Sequence, residues 1–238
     1  MAKIALISDV HANLPALQAV IKELEIERPD NWICLGDIVG YGPNPAECLD
    51  LIRSKEMKCV LGNHDAGVTG KLSLKHFRNP NRHLIELSKK MLSSEQLNWL
   101  AELPLIIEDA DESWVAVHSS PENPQKWEYL NSAFRVRQIL KSIPHQFCFA
   151  GHTHRAGVVS EIIGLNKLKD GHKFFINPGS VGQSRDGDAR ASGGVLDLDN
   201  FTYKNIRVSY SLNPVILGLE KLGFSTREAE TLIKPRLG

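Results

Sequence analysis

Long apolar runs are missing from this 238-residue chain, and none approaches the roughly 18 residues that a membrane-spanning helix needs. An excess of one charge is missing too. Lysine plus arginine and aspartate plus glutamate each number 28, so the formal net charge is zero. That removes any global attraction to nucleic acid or an anionic membrane, and anion binding must come from local geometry. Cysteine is sparse and unpatterned: Cys34, Cys48, Cys59 and Cys148 form no CxxC pair and sit in apolar contexts. They read as reduced core thiols rather than disulfides or metal ligands. The opening MAKIALISDVH holds an apolar stretch too short for a signal-peptide core, so a cytoplasmic protein is expected. No repeat, low-complexity tract or linker interrupts the chain, and a single domain over 1–238 is expected.

What is present begins with alternation. Lys3 to Ser8 is a continuous apolar run suited to a buried parallel strand. A helix should follow, capped by Asn13, with Pro15 in its first turn and Leu14, Leu17, Val20, Ile21 and Leu24 on one face. Trp32 to Leu35 reads as a second strand, Ala46 to Ser54 as a helix and Met57 to Leu61 as a third strand, a βαβαβ start. Amphipathic helices are expected over Arg82 to Leu92 and Glu95 to Leu103, the latter capped by Ser93 or Ser94. Further strands are expected at Leu105–Glu108, Trp114–His118, Phe147–Ala150, Gly157–Ile163, Lys173–Ile176, Gly194–Leu198 and Thr202–Val208, with a helix near Ser132–Leu140. That is enough strand for two sheets. Asn213 to Leu237 reads as one or two surface helices packed on the domain.

Aspartate, histidine and asparagine gather in five short segments, each just after a strand-like run, where an α/β sheet presents its C-terminal edge to ligands. They are Asp9-Val10-His11, Gly36-Asp37-Ile38-Val39-Gly40, Gly62-Asn63-His64-Asp65, His118, and Gly151-His152-Thr153-His154. In extended backbone, residues i and i+2 project to one side, so Asp9 with His11 and His152 with His154 can point into one space. Gly36, Gly62 and Gly151 sit where the chain must turn beside that crowded centre. Imidazole, carboxylate and amide without sulfur suit Mn, Fe or Zn with open water positions rather than structural zinc. So many ionisable groups in one place, without cations, would suffer desolvation and like-charge repulsion of several kcal/mol.

These segments resemble the DxH, GDxxG, GNHD/E, lone His and GHxH motifs of the calcineurin-like metallophosphoesterase superfamily, in the same order and over Ile4 to about Arg185. Leu35 to Pro45 and Asn177 to Gly182 are more narrowly similar to its small bacterial and archaeal phosphodiesterase branch. The resemblance implies a four-layer α/β/β/α sandwich of two mixed β-sheets flanked by helices. It implies two divalent metal ions, manganese first, with iron, zinc, nickel or cobalt also compatible. Asp9, His11, Asp37 and His154 would hold one; Asp37, Asn63, His118 and His152 would hold the other. His64 would give a proton to the leaving group, with Asp65 hydrogen-bonded to its ring. The implied activity is phosphodiester hydrolysis of a small phosphoester or nucleotide-like substrate. A monoesterase or diadenosine-type hydrolase is the alternative, and an inactive scaffold a more distant one. Ser119 and Ser184 depart from the glycine and proline frequent in the branch, which touches loop shape and not a ligand. Leu61 stands where the protein-phosphatase branch carries arginine, which weighs against that activity.

Four readings lie outside the motifs. Arg185 has the shape to grip a phosphate and is a candidate substrate contact. Gly67 to Arg82, with Lys71, Lys75, Arg78 and Arg82, could lie over the site as a cationic cover. Trp127 and Tyr129, within Pro121 to Leu130, could form an aromatic wall for a nucleobase or pack in the core. His76, His83, His145 and His172 match no motif and are expected at solvated positions.

Overall fold

A computed structural model describes residues 3–111 and 113–234. Strand β1 (Lys3–Ile7), helix α1 (Leu14–Ile26), strand β2 (Asn31–Cys34), helix α2 (Pro45–Ser54) and strand β3 (Lys58–Cys59) open the chain. β1 pairs β2 and β2 pairs β3, both parallel, so the βαβαβ start is present. The Asn13 side chain accepts the Ala16 amide (3.2 Å) at the start of α1, and Ala16, Leu17, Val20, Ile21 and Leu24 are buried along one stripe. β3 is shorter than the Met57–Leu61 run suggests. The Leu61 amide leaves the ladder and donates to the Pro104 carbonyl (2.7 Å).

The Asn63-His64-Asp65 segment is not a simple turn; it opens helix α3 (Asn63–Thr69), which Gly70 ends in left-handed backbone (φ 81°). A 3₁₀ turn at Leu74–His76 leads to α4 (Asn81–Met91) and α5 (Ser94–Glu102). Ser93 is the cap of α5: its hydroxyl accepts the Gln96 amide (3.2 Å) while the Gln96 side chain accepts the Ser93 amide (3.0 Å). There follow β4 (Ile106–Glu108), β5 (Trp114–Val117), α6 (Ala133–Ser142), β6 (Phe147–Phe149), β7 (Gly157–Ser160), β8 (Phe174–Asn177), β9 (Ala191–Asp197) and β10 (Thr202–Val208). β7 stops short of Ile163, as the Ser160 hydroxyl accepts the Ile162 amide (3.1 Å) and turns the chain. The tail forms two helices, α7 (Asn213–Lys221) and α8 (Thr226–Ile233), separated at Gly223 (φ 95°). Residues 235–237 of that expected stretch lie outside the described residues.

One sheet has the order β10-β9-β1-β2-β3 and the other β4-β5-β6-β8-β7. Both are mixed: β9 runs antiparallel to β1 and β10, and β4 and β7 run antiparallel to β5 and β8. Alternation along the strands builds the layers. Ile4, Leu6, Ile33 and Leu35 meet Trp114, Phe147, Phe149, Phe174 and Ile176 between the sheets. Ala5, Ile7 and Cys34 turn the other way, onto Leu17, Val20 and Leu24 of α1 and Leu49 and Ile52 of α2. Val115, Val117, Cys148 and Phe175 pack on Val136, Ile139 and Leu140 of α6. Each large apolar side chain buried this way contributes roughly 1.5–3 kcal/mol, which holds the four layers together. α7 and α8 pack over Tyr41 and Leu84.

All four cysteines are buried and free, as their contexts suggest. His145 corrects an expectation: it is buried, just before β6, with Nε2 3.4 Å from Oε1 of Glu108 at the end of β4, two strands away in the same sheet. Among the described residues no helix is long and apolar enough to cross a membrane.

Candidate metal centre

The parallel strands of both sheets end at one place. Asp9 and His11 follow β1, Asp37 follows β2, Asn63 follows β3, His118 follows β5, and His152 and His154 follow β6. Bringing these loops into contact demands unusual backbone. Asp9, His11, Asp37, His152 and His154 all have positive φ, between 50° and 64°, a region that costs non-glycine residues about 1–3 kcal/mol and persists only where the surroundings impose it. The surroundings are explicit. The His152 amide donates to Asp9 Oδ2 (3.1 Å), Ser180 Oγ donates to the Asp9 carbonyl (2.9 Å), and the His11 amide donates to the Asp37 carbonyl (2.9 Å).

The glycines permit the approach. A Cβ on Gly62 would lie 2.2 Å from both Asp37 N and Asp37 Oδ1, and one on Gly151 would lie 1.8 Å from Ser8 Oγ. A Cβ on Gly40, the last glycine of the GDIVG stretch, would lie 2.4 Å from His64 Nδ1, so that glycine makes room for the histidine ring.

Four imidazoles are oriented from behind by backbone carbonyls. His11 Nδ1 donates to Val39 O (3.2 Å), His118 Nδ1 to Leu35 O (2.6 Å), His154 Nδ1 to Gln183 O (2.5 Å) and His152 Nε2 to Trp127 O (3.0 Å). A carbonyl can only accept, so each of those nitrogens carries the hydrogen, and in the neutral ring the opposite nitrogen keeps its lone pair. The lone pairs then face one another: His11 Nε2 and His154 Nε2 are 3.2 Å apart, His118 Nε2 and His152 Nδ1 3.1 Å, and His118 Nε2 and Asn63 Oδ1 3.2 Å. Acceptors at that separation repel unless a cation lies between them.

The carboxylates close two clusters. Asp9 Oδ1 lies 3.3 Å from His154 Nε2 and has no hydrogen-bond partner. Asp37 Oδ2 lies 3.7 Å from His11 Nε2 on one side and 3.3 Å from His118 Nε2 on the other, while its Oδ1 accepts the His64 amide (2.8 Å). Asp9, His11 and His154 form one group with ligand atoms within 4.8 Å of one another, and Asp37, His118 and His152 form another. Asp37 faces both. The donor chemistry, the facing lone pairs and the orphaned Asp9 oxygen fit metal ions.

Electrostatics agree. Burial drives His152 down to about 3 and His11 and His154 well below the ordinary histidine value, leaving them neutral, as ligation requires. Burial also pushes Asp9 up to about 7. His118 goes the other way: burial opposes its charge, but Asp37 and Asp9 carry it up to about 9. Asp37 is held well below the usual carboxylate range against its burial, chiefly by His118 and His64.

His64 projects from α3 into the same space, its ring centroid 4.7 Å from that of His11. Its Nδ1 is buried and without a hydrogen-bond partner, and burial lowers its pKa to about 4. Asp65 does not hold this ring. Its Oδ1 accepts the amides of Ile38 (2.9 Å) and Val39 (3.2 Å), and its Oδ2 accepts that of Gly62 (3.0 Å). From the first turn of α3 the carboxylate reaches back to unpaired backbone donors and staples the Asp37 and Asn63 loops together.

Arg185 comes from the loop after β8, anchored by its amide to the His154 carbonyl (3.1 Å). Its Nη2 reaches Tyr41 Oη at 3.4 Å, its Nε is buried without a partner, and among the described residues no carboxylate pairs with it. Tyr41 directly follows the GDIVG stretch, within the Leu35 to Pro45 resemblance, but the sequence gives it no role of its own. Its ring lies 4.5 Å from His11, and its hydroxyl accepts from Asn81 Nδ2 (2.9 Å). Gln183 was also missed; its carbonyl orients His154 and its side-chain amide donates to the Leu232 carbonyl of α8.

A cavity of about 610 Å³ opens on the His64 side of the centre, lined by Asn63, His64 and His152 together with Tyr41, Phe77, Arg78, Lys126, Trp127 and Tyr129. The Gly67–Arg82 stretch therefore does border the site. It is fastened there, as Arg82 donates to the carbonyls of Leu74 and Phe77 (both 3.1 Å). His76, exposed as expected, also lines this cavity, while His83 is exposed and His172 half-buried near Glu161.

A family model described as the calcineurin-like phosphoesterase superfamily domain matches residues 2–200. The chain is similar to Uncharacterized protein MJ0912 of Methanocaldococcus jannaschii, 40% identical over an alignment of length 222, with 88% of each chain covered. A solved metallophosphoesterase from Sphaerobacter thermophilus is 35% identical, with a TM-score of 0.83 covering 97% of this chain and 98% of that one. The symmetrical bis(5'-nucleosyl)-tetraphosphatase of Proteus mirabilis is 31% identical over 137 residues, 56% of this chain and only half of that relative. With five motifs converging on two buried clusters of metal-ligand type and a family match over most of its length, the chain belongs to the calcineurin-like phosphoesterase superfamily, a family of metal-dependent hydrolases.

Proposed function

We propose that the protein is a phosphodiesterase working with two divalent cations. The observation that carries this reading is Asp37, whose Oδ2 faces the His11 cluster at 3.7 Å and the His118 cluster at 3.3 Å. Asp9, His11, Asp37 and His154 hold one ion, and Asp37, Asn63, His118 and His152 hold the other. Manganese suits this mixed N/O set, with iron, zinc, nickel and cobalt also compatible. When bound, the two cations supply Lewis acidity toward phosphoryl oxygens and make water acidic enough to attack at neutral pH.

The chain's own residues do the rest. Arg185, anchored beside the His154 ligand and lacking a carboxylate partner, grips a phosphoryl oxygen. His64 faces the cavity and gives a proton to the departing oxygen. Burial strips its charge in the free protein, and an anionic substrate opposite restores it. Attack forms one P–O bond and breaks another; the departing oxygen takes the His64 proton, and the proton from water leaves to solvent. The substrate is a small phosphoester or nucleotide-like molecule, and the reduced, buried cysteines suit the cytoplasm.

A second reading, hydrolysis of a nucleoside polyphosphate, draws support from the relative named bis(5'-nucleosyl)-tetraphosphatase. Asp37→Ala tests the shared chemistry. It should abolish hydrolysis of bis-nitrophenyl phosphate and lower bound metal, and normal turnover with two metals retained would refute the proposal.

A further inference from the structure

Of the four tryptophans, Trp114 lies in the core between the sheets, and Trp32 and Trp99 pack against the core under α1 and α2. Trp127 belongs to none of the apolar cores and instead lines the cavity beside Asn63 and His152. Tyr129 behaves alike. It is 52% exposed and stacks on the His152 ring with centroids 4.0 Å apart. Core packing, the alternative reading of this pair, is therefore not what they do.

The indole is delivered there by design of the backbone. Trp127 has φ 51°, an outlier for so bulky a residue. That conformation ends the Pro124–Lys126 turn and aims the Trp127 carbonyl at His152 Nε2 (3.0 Å). The segment is also tied from behind. Arg135 of α6 donates to Glu128 (2.7 and 3.0 Å) and to Glu122 (2.5 Å), and the Ser142 hydroxyl donates to Glu122 (3.0 Å). The shelf carrying Trp127 and Tyr129 thus has a fixed relation to the metal ligands.

The cavity also carries charge. Arg78 and Lys126 both line it, neither forms an ion pair among the described residues, and no described lining residue is acidic. Two unpaired cations call for an anion longer than one phosphate, and a half-buried indole beside an exposed phenol calls for a flat aromatic group. His64 borders the same space, so it is the leaving side of the reaction. A volume of about 610 Å³ falls in the range that encloses a drug-sized ligand.

We infer that the cavity is a nucleotide subsite in which the base of the departing nucleotide stacks on Trp127 and Tyr129 while its phosphates are held by Arg78 and Lys126. This rests on the phosphoesterase reading and adds to it the identity of the leaving group. A sugar phosphate would leave the aromatic shelf unused, and an aryl monophosphate would leave one cation unpaired.

The test is calorimetric titration of the metal-loaded protein with α,β-methylene-ADP, which carries the base, and with methylenediphosphonate, which does not. The unaltered protein should prefer the nucleotide by roughly 5- to 100-fold, the worth of one base–aromatic stack. Trp127→Ala should bring that preference toward unity while the diphosphonate affinity holds, and Trp127→Phe should keep most of it. Arg78→Ala with Lys126→Ala should weaken both ligands together. A preference near unity in the unaltered protein, or one untouched by Trp127→Ala, overturns the subsite. Hydrolysis of bis-nitrophenyl phosphate by the same preparation is read in parallel. Its presence with no nucleotide preference sinks the subsite alone, and its absence from the metal-loaded protein sinks the phosphoesterase reading on which the subsite rests.

Discussion

Replacing Gly62 by alanine should empty the metal centre, although glycine binds nothing. The added Cβ would sit 2.2 Å from both the amide nitrogen and Oδ1 of Asp37, and 2.9 Å from its Cα. Contacts below about 3.0 Å are essentially never tolerated, so the Asp37 loop must retreat by about 0.8 Å. A rotamer change gives no relief, because two of those atoms are backbone. Metal sites tolerate ligand displacements of only about 0.2 Å, so the shift exceeds the allowance severalfold and falls on the residue that faces both clusters. Overpacking of this kind costs about 1–3 kcal/mol. Gly157→Ala is the control, since a Cβ there meets nothing within 4 Å. Denaturant titration in chelator gives the stability, and elemental analysis after reconstitution gives the metal. Gly62→Ala should lose about 1–3 kcal/mol and most of its metal, while Gly157→Ala should match the unaltered protein. A Gly62→Ala variant with unaltered stability and full metal content would refute the geometry on which the site is built.

Other outcomes follow from the same contacts. His64→Ala should keep its metal and lose about 10²–10⁴-fold in rate with a poor leaving group, with a smaller loss for a nitrophenyl ester; equal losses for both would remove the proton-donor role. Asp65→Asn places an amide donor against the Gly62 amide, so unfolding in chelator should show a loss of about 1–3 kcal/mol; a variant of full stability whose only defect matches that of His64→Ala would show that Asp65 acts on the ring after all. Arg185→Lys keeps charge but not the planar fork, and should raise KM for a phosphodiester with bound metal unchanged; an unaltered KM would place Arg185 outside the substrate contacts. Removing metal should lower the melting temperature, since binding to the folded state alone stabilises it, and re-addition of manganese should restore it; a melting temperature indifferent to chelator would argue that no ion occupies the centre.

Much of this site was legible in the sequence because its side chains obey a simple rule. Asp9, His11, Asp37, His118, His152 and His154 each follow an apolar run that becomes a parallel strand, and parallel strands share an edge. The four layers were implied by the family resemblance, and they agree with continuous apolar strands such as Ile4 to Ile7, which must be covered on both faces. What escaped was decided by contacts distant in sequence or by backbone. Helix α3 was hidden because Gly67 and Gly70 sit within and just after its seven residues. The family resemblance implied a ring contact for Asp65, but the carboxylate stands beside the unpaired amides that open α3 and takes those instead. His145 looked like a surface residue because nothing local records that Glu108 of β4, 37 residues earlier, lies beside it. Gln183 gave no signal, for its role depends on Leu232, 49 residues away.

The most direct test of the account is anomalous diffraction from manganese-loaded crystals. Two ions should appear about 3.5–4 Å apart, one among Asp9, His11 and His154, the other among Asn63, His118 and His152, with Asp37 touching both. A single ion, or ions that leave Asp37 out of contact, would contradict it.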